Sequence, residues 1–198
     1  MKINPIILVI VIISAVYIGL KVNDTQKNSI SYETKDNIKK VSTSPNLSPE
    51  YIMDYLSENG FDILPIYKGT RSDIFSGVMS ISDSNIQIQV DVYQERSSNK
   101  ILLIETNIDA SSYYSTTNQK EIENIVNEVA KNFFVPLVQM PYDGSNPEKA
   151  ANWVDSKILT SYSDKPKEKT STKIGPATIN IFGDQYFRTL EIDFGFAE

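Results

Sequence analysis

The chain has 198 residues, 19 of them basic and 25 acidic, a net charge of −6, and neither histidine nor cysteine. Those two absences exclude Ser-His-Asp and Cys-His catalysis, ordinary zinc sites and redox thiols. The acidic balance disfavours sequence-independent nucleic-acid binding, because a polyanion is repelled.

Ile3 to Leu20 contains no charged residue. At a helical rise of about 1.5 Å per residue it would measure about 27 Å, close to one hydrocarbon core. A cleavable signal has a shorter apolar region followed by a small-x-small site, whereas here Gly19 follows the bulky Tyr17 by two places and Ala15 follows Ile13. Residues 1–20 are therefore read as a retained signal-anchor, a single transmembrane helix whose partner is the lipid bilayer through residues 3–20. The alternative is a cleaved signal and a secreted protein. Lys21, Lys27, Lys35, Lys39 and Lys40 come after the span and by the positive-inside count favour a cytoplasmic flank. A leader at the extreme N-terminus with a basic start exports the chain behind it, and long domains translocate largely regardless of charge. The expected location is the cell membrane, with the main domain extracytoplasmic.

Residues 21–46, rich in Asn, Ser, Thr and Lys, cannot bury enough apolar surface to fold alone and read as a polar tether. Residues 1–40 hold six lysines against three acids, and the remainder 13 basic against 22 acidic groups. Residues 47–198 form one α+β domain of about 150 residues, long enough for a single core without disulfide or metal support.

Within it, Ser48 caps a helix that Pro49 and Glu50 open and Gly60 closes, with Tyr51, Ile52, Tyr55 and Leu56 on one side. The stretch 61–69 is an edge strand, demoted by Pro65. A hairpin comes next, turning at Asp83, Ser84 and Asn85. Its second arm alternates, with Ile86, Ile88, Val90 and Val92 inward and Gln87, Gln89, Asp91 and Tyr93 outward. Residues 100–108 add a third meander strand. The clearest helix spans 118–134, with Ile122, Ile125, Val126, Val129, Ala130, Phe133 and Phe134 as its stripe and Pro136 as its stop. A second helix opens at Asn146 and Pro147 and turns Ala151, Val154 and Ile158 to one side. The chain ends in a hairpin around Gly183 and Asp184. Arg188 interrupts the inward row of Tyr186, Leu190, Ile192 and Phe194; either it sits at the hairpin end, or Phe187 carries the register. Strands grouped around a helix pair predict a two-layer sandwich: antiparallel sheet, as meander plus C-terminal hairpin, with helices on one face.

Candidate chemistry is sparse. Ser97 and Lys100 match the S-x-x-K nucleophile pattern but fall in a hairpin loop without its companion motifs, so a solvated turn is the better reading. Glu191 with Asp193, or Asp91 with Glu105, could act as paired carboxylates of a surface hydrolase; the alternative is the wet face of a sheet. Asp143 to Glu148 offers several oxygens, yet a helix start explains them better than a calcium loop. No catalytic residue, metal site or cofactor is assigned. Two groups are candidate binding residues: Tyr113 and Tyr114, whose paired phenols suit sugar or protein contacts, and Lys165, Lys167 and Lys169, with Lys173 beyond, which could touch anionic lipid or wall polymer. The expected function is a membrane-anchored, extracytoplasmic, non-catalytic interaction or accessory protein of a bacterial cell envelope. Its expected partner is a protein or an envelope polymer, and not a nucleic acid.

Overall fold

The computed structural model describes residues 47–81, 84–114, 119–158 and 168–196. The expected span 3–20, the tether 21–46, the turn residue Asp83, and Lys165 and Lys167 lie outside the described residues. Among those described, no helix is long and apolar enough to cross a membrane. Residues 47–81 and 85–196 belong to one unit.

The domain is α+β, with three α-helices and an eight-stranded antiparallel sheet among the described residues. Helix α1 is Pro49–Glu58. Strands β1 (Asp62–Ile63), β2 (Tyr67–Lys68), β3 (Ser72–Ile81), β4 (Ile86–Glu95) and β5 (Ile101–Asp109) come next, then a 3-10 turn at Ser111–Tyr113. Helices α2 (Gln119–Val138) and α3 (Pro147–Ile158) lead into β6 (Thr170–Ile174), β7 (Ala177–Gly183) and β8 (Phe187–Asp193). Strand order is β1-β3-β4-β5-β8-β7-β6, with β2 also on β3. Two meanders are thus fused through β5 and β8.

Helix α1 obeys its local signals. Ser48 Oγ accepts from the Tyr51 amide at 3.2 Å, and Gly60 leaves the helix at φ +86°. Its buried side is Ile52, Met53 and Leu56, while Tyr51 is exposed. Tyr55 is half-buried against the core as expected, whereas the expected inclusion of Tyr51 on that side is corrected: Met53 takes the buried place instead, with Leu56 set beside Gly77 of β3. Replacing Ser48 by alanine should cost about 1 kcal/mol through the orphaned amide, a drop of roughly 2–4 °C in the thermal midpoint.

Pro136 does not stop α2. The helix continues to Val138 because Leu137 and Val138 are almost fully buried. The bond a proline cannot donate is a single one, to the carbonyl of Asn132, an exposed residue. The last turn closes with Gln139 N–H to Pro136 O and Met140 N–H to Leu137 O, both 3.2 Å. Asn146 Oδ1 accepts from the Lys149 amide at 3.0 Å, which makes residues 143–148 a helix start. Lys131 and Asp155 tie α2 to α3 at 2.7 Å.

The alternation in β4 holds: Ile86, Ile88, Val90 and Val92 are buried in one cluster with Ile104 and Ile108 of β5, Leu190 and Ile192 of β8, Ile179 and Ile181 of β7, and the apolar sides of all three helices. The C-terminal hairpin is larger than expected. Residues 170–172, expected to lie between the last helix and the hairpin, join Lys173 and Ile174 in β6, which pairs to β7 across the Gly175 turn. Arg188 keeps its place in the inward row, 1% exposed, and Phe187 points out. Its guanidinium donates to Asn127 Oδ1 of α2 at 3.2 Å and to the Ile158 carbonyl of α3 at 3.3 Å.

Candidate binding face

Because side chains alternate along a strand, the residues between the core positions share the opposite face of the sheet. Cross-strand register aligns them in rows. Ser76, Asp91, Glu105, Glu191, Asn180 and Ser171 are successive partners across β3, β4, β5, β8, β7 and β6. Three carboxylates therefore stand side by side on adjacent strands, an arrangement that like-charge repulsion opposes.

Each of the three is held by neighbouring donors. Asp91 accepts from Ser76 Oγ and from Gln89 Nε2 at 2.7 Å. Glu105 accepts from Asn107 Nδ2 at 2.7 Å, and Asn107 Oδ1 in turn accepts from Thr189 Oγ1 at 2.7 Å. Glu191 accepts from Lys169 Nζ with both oxygens at 2.8 Å and from Asn180 Nδ2 at 2.9 Å. Asn180 Oδ1 closes the row by accepting from Ser171 Oγ at 2.7 Å. Asp91, Asn180, Thr189 and Glu191 are consequently buried although they lie on the polar face. Tyr93 records the local field: burial first, then the charges of Glu105 and Asp91, push its phenol up to about 12.

Asp193 is drawn away from the row. Its Oδ1 accepts from the amides of Gly195 and Phe196 at 2.7 and 2.8 Å, a turn-capping role. Its expected pairing with Glu191 is replaced by Asp91 and Glu191 flanking Glu105. Among the described residues no three carboxylates converge on a point that could hold a metal ion. Ser97 to Lys100 forms the β4–β5 loop, where Ser98 donates to Glu95 and Asn99 sits at φ +56°.

Of the expected binding residues, Lys169 belongs to this face. Besides bridging to Glu191, its ammonium stands 5.0 Å from the Phe182 ring centre. With the lysine side chain 45% exposed, the ion pair contributes on a surface scale, within about 1 kcal/mol. Tyr114 projects at the sheet end, 60% exposed, its ring 4.4 Å from that of Tyr186. Desolvation and the carboxylates of Asp184 and Asp109 raise its phenol above its ordinary value. Tyr113 is half-buried against the core, so the pair is split between an anchor and an exposed ring. Their turn is placed by the Ala110 amide donating to the Tyr186 carbonyl at 2.8 Å and by Ser112 Oγ donating to the Asn85 carbonyl at 3.1 Å.

Sequence reasoning missed Asn107, Asn180 and Thr189, single polar residues with no local motif. Comparison with protein-family models, curated proteins and solved structures finds no match.

Proposed function

We propose that this chain is a membrane-anchored, extracytoplasmic, non-catalytic interaction protein of a bacterial cell envelope. Residues 1–20 serve as the transmembrane anchor, 21–46 as the tether and 47–198 as the single two-layer domain. The polar sheet face and exposed Tyr114 form its surface for a protein or an envelope polymer. The carrying observation is the row from Ser76 to Ser171, in which every carboxylate is engaged by amide, hydroxyl or ammonium donors. Such a preorganised surface suits recognition, because its groups are already oriented and little ordering is lost on contact. A carboxylate serving as acid or base needs to be released to the substrate. The second reading, a surface hydrolase, draws on Glu105 standing between Asp91 and Glu191.

The full chain in detergent, incubated with isolated cell-wall polymer and with membrane extract, tests both. Retention on one of them should fall about tenfold when Tyr114→Ala and Lys169→Ala are combined, a loss of about 1.4 kcal/mol, with the thermal midpoint shifted by no more than a few degrees. Unchanged retention would remove this face from the function. Hydrolysis of the polymer that Glu105→Gln abolishes would favour the enzyme instead. Fractionation tests the anchorage: a mature chain found in the medium and beginning beyond Leu20 would overturn it.

A further inference from the structure

We infer that the sheet edge from Ile63 to Arg71 docks on the surface of the lipid bilayer. Among the described residues, five of the seven large exposed apolar side chains lie between residues 51 and 67: Tyr51, Ile63, Leu64, Ile66 and Tyr67, the last two 49% and 66% exposed. Every residue from Asp62 to Lys68 is exposed. Ile63 to Arg71 reads Ile-Leu-Pro-Ile-Tyr-Lys-Gly-Thr-Arg, with two cations and no acid in a chain of net charge −6. Apolar side chains beside a tyrosine and two cations form the combination that partitions to a membrane interface: aliphatic groups enter the acyl boundary, the phenol stays at headgroup level, and Lys68 and Arg71 meet lipid phosphates.

The backbone argues against an added protein strand as the occupant. Strands β1 and β2 have two residues each, Pro65 lies between them, and the Gly69 amide is already spent on the Ser72 carbonyl at 3.0 Å. An incoming strand would find almost no ladder to extend, which is how protected edges are made. What remains on offer is side chains.

The position of this edge in the chain favours the same occupant. The inference rests on the anchored reading, in which residues 3–20 lodge in lipid. The 26 residues from 21 to 46 reach at most about 90 Å, and they end where α1 and then this edge begin. That confinement keeps the domain at an effective concentration on the order of 1 mM to the bilayer, so a modest interfacial affinity suffices.

The absence of cysteine permits a direct test. Full chains bearing Ile66→Cys or Lys173→Cys, the latter on β6 at the far edge of the sheet, are labelled with a thiol-reactive fluorophore and reconstituted into phosphatidylcholine–phosphatidylglycerol vesicles. Nitroxide-bearing lipid should quench the label at 66 at least about threefold more than the label at 173, and Leu64→Ser with Tyr67→Ser should remove the difference. Equal quenching in vesicles that carry the chain on flotation overturns the docking and leaves the anchor standing. A label at 66 shielded from aqueous iodide yet untouched by lipid nitroxide means that a protein surface covers it, and also overturns the inference. Chains that fail to float overturn both the docking and the anchorage.

Discussion

Arg188→Ala should lower the unfolding free energy by about 3–4 kcal/mol, a drop of roughly 6–16 °C in the thermal midpoint. This arginine lies in the inward row of β8, between Ile108 of β5 and Gly183 of β7. The facing residue on β7 lacks a side chain, and the guanidinium reaches into the helix layer. There it donates to Asn127 Oδ1 and to the Ile158 carbonyl, one of the four at the end of α3 that helical geometry leaves without an intrahelical donor. A cation at that end also opposes the negative pole of the helix. Truncation removes the buried donor that the Asn127 amide oxygen and the Ile158 carbonyl share, and leaves a cavity. Arg188→Met keeps most of the stem volume and loses only the donors, so it should cost about 2 kcal/mol. Urea denaturation measures both; a loss below about 1 kcal/mol for the alanine variant would show that the guanidinium does not join the sheet to the helices.

Gly183→Ala should be the most damaging glycine substitution in the C-terminal meander, at about 4 kcal/mol. Gly183 has φ +125°, and a methyl group there would overlap the Phe187 carbonyl oxygen and stand 3.0 Å from the Arg188 Cα. That oxygen accepts the Asp184 amide at 2.7 Å, the bond that closes the β7–β8 turn. The obstacle is backbone, so no rotamer change relieves it. Gly195→Ala separates the two causes. Its φ is +117° and nothing lies within 4 Å of the added carbon, so it should carry only the conformational cost, about 1–2 kcal/mol. Thermal melts of both variants should differ by several degrees. Equal losses would show that the strained φ alone accounts for Gly183.

Where the signals were local, the residues announced their own structure. Ser48, Pro49 and Gly60 bracket α1 in sequence as in space. The strict alternation from Ile86 to Val92 sorted inward from outward side chains in β4, and the three- and four-residue repeat from Ile122 to Phe134 marked α2. Pro136 misled because a proline in the last turn forfeits one hydrogen bond, less than the burial of Leu137 and Val138 returns. Thr170 to Thr172 carried no strand signal of their own. An edge strand half open to water can be built from Thr, Ser and Lys, and only pairing with β7 makes it one.

The candidate face was half legible. Tyr114 on its turn and the carboxylates of β4, β5 and β8 could be named from the chain. Their assembly into one row could not, because β5 and β8 are joined across 82 residues at the pair Asn107 and Thr189.

The sequence by itself determined which catalytic chemistries lack their residue types, where the helices and long strands lie, and which side of each strand is apolar; these stem from residue type and from periods of two and 3.6 that act over a few neighbours. Only the tertiary structure decided that Arg188 points into the core, that Lys169 is paired with Glu191, and that Asp91, Glu105 and Glu191 stand shoulder to shoulder. Those outcomes depend on the register between strands distant in the chain, and register is set when the whole apolar face is buried at once.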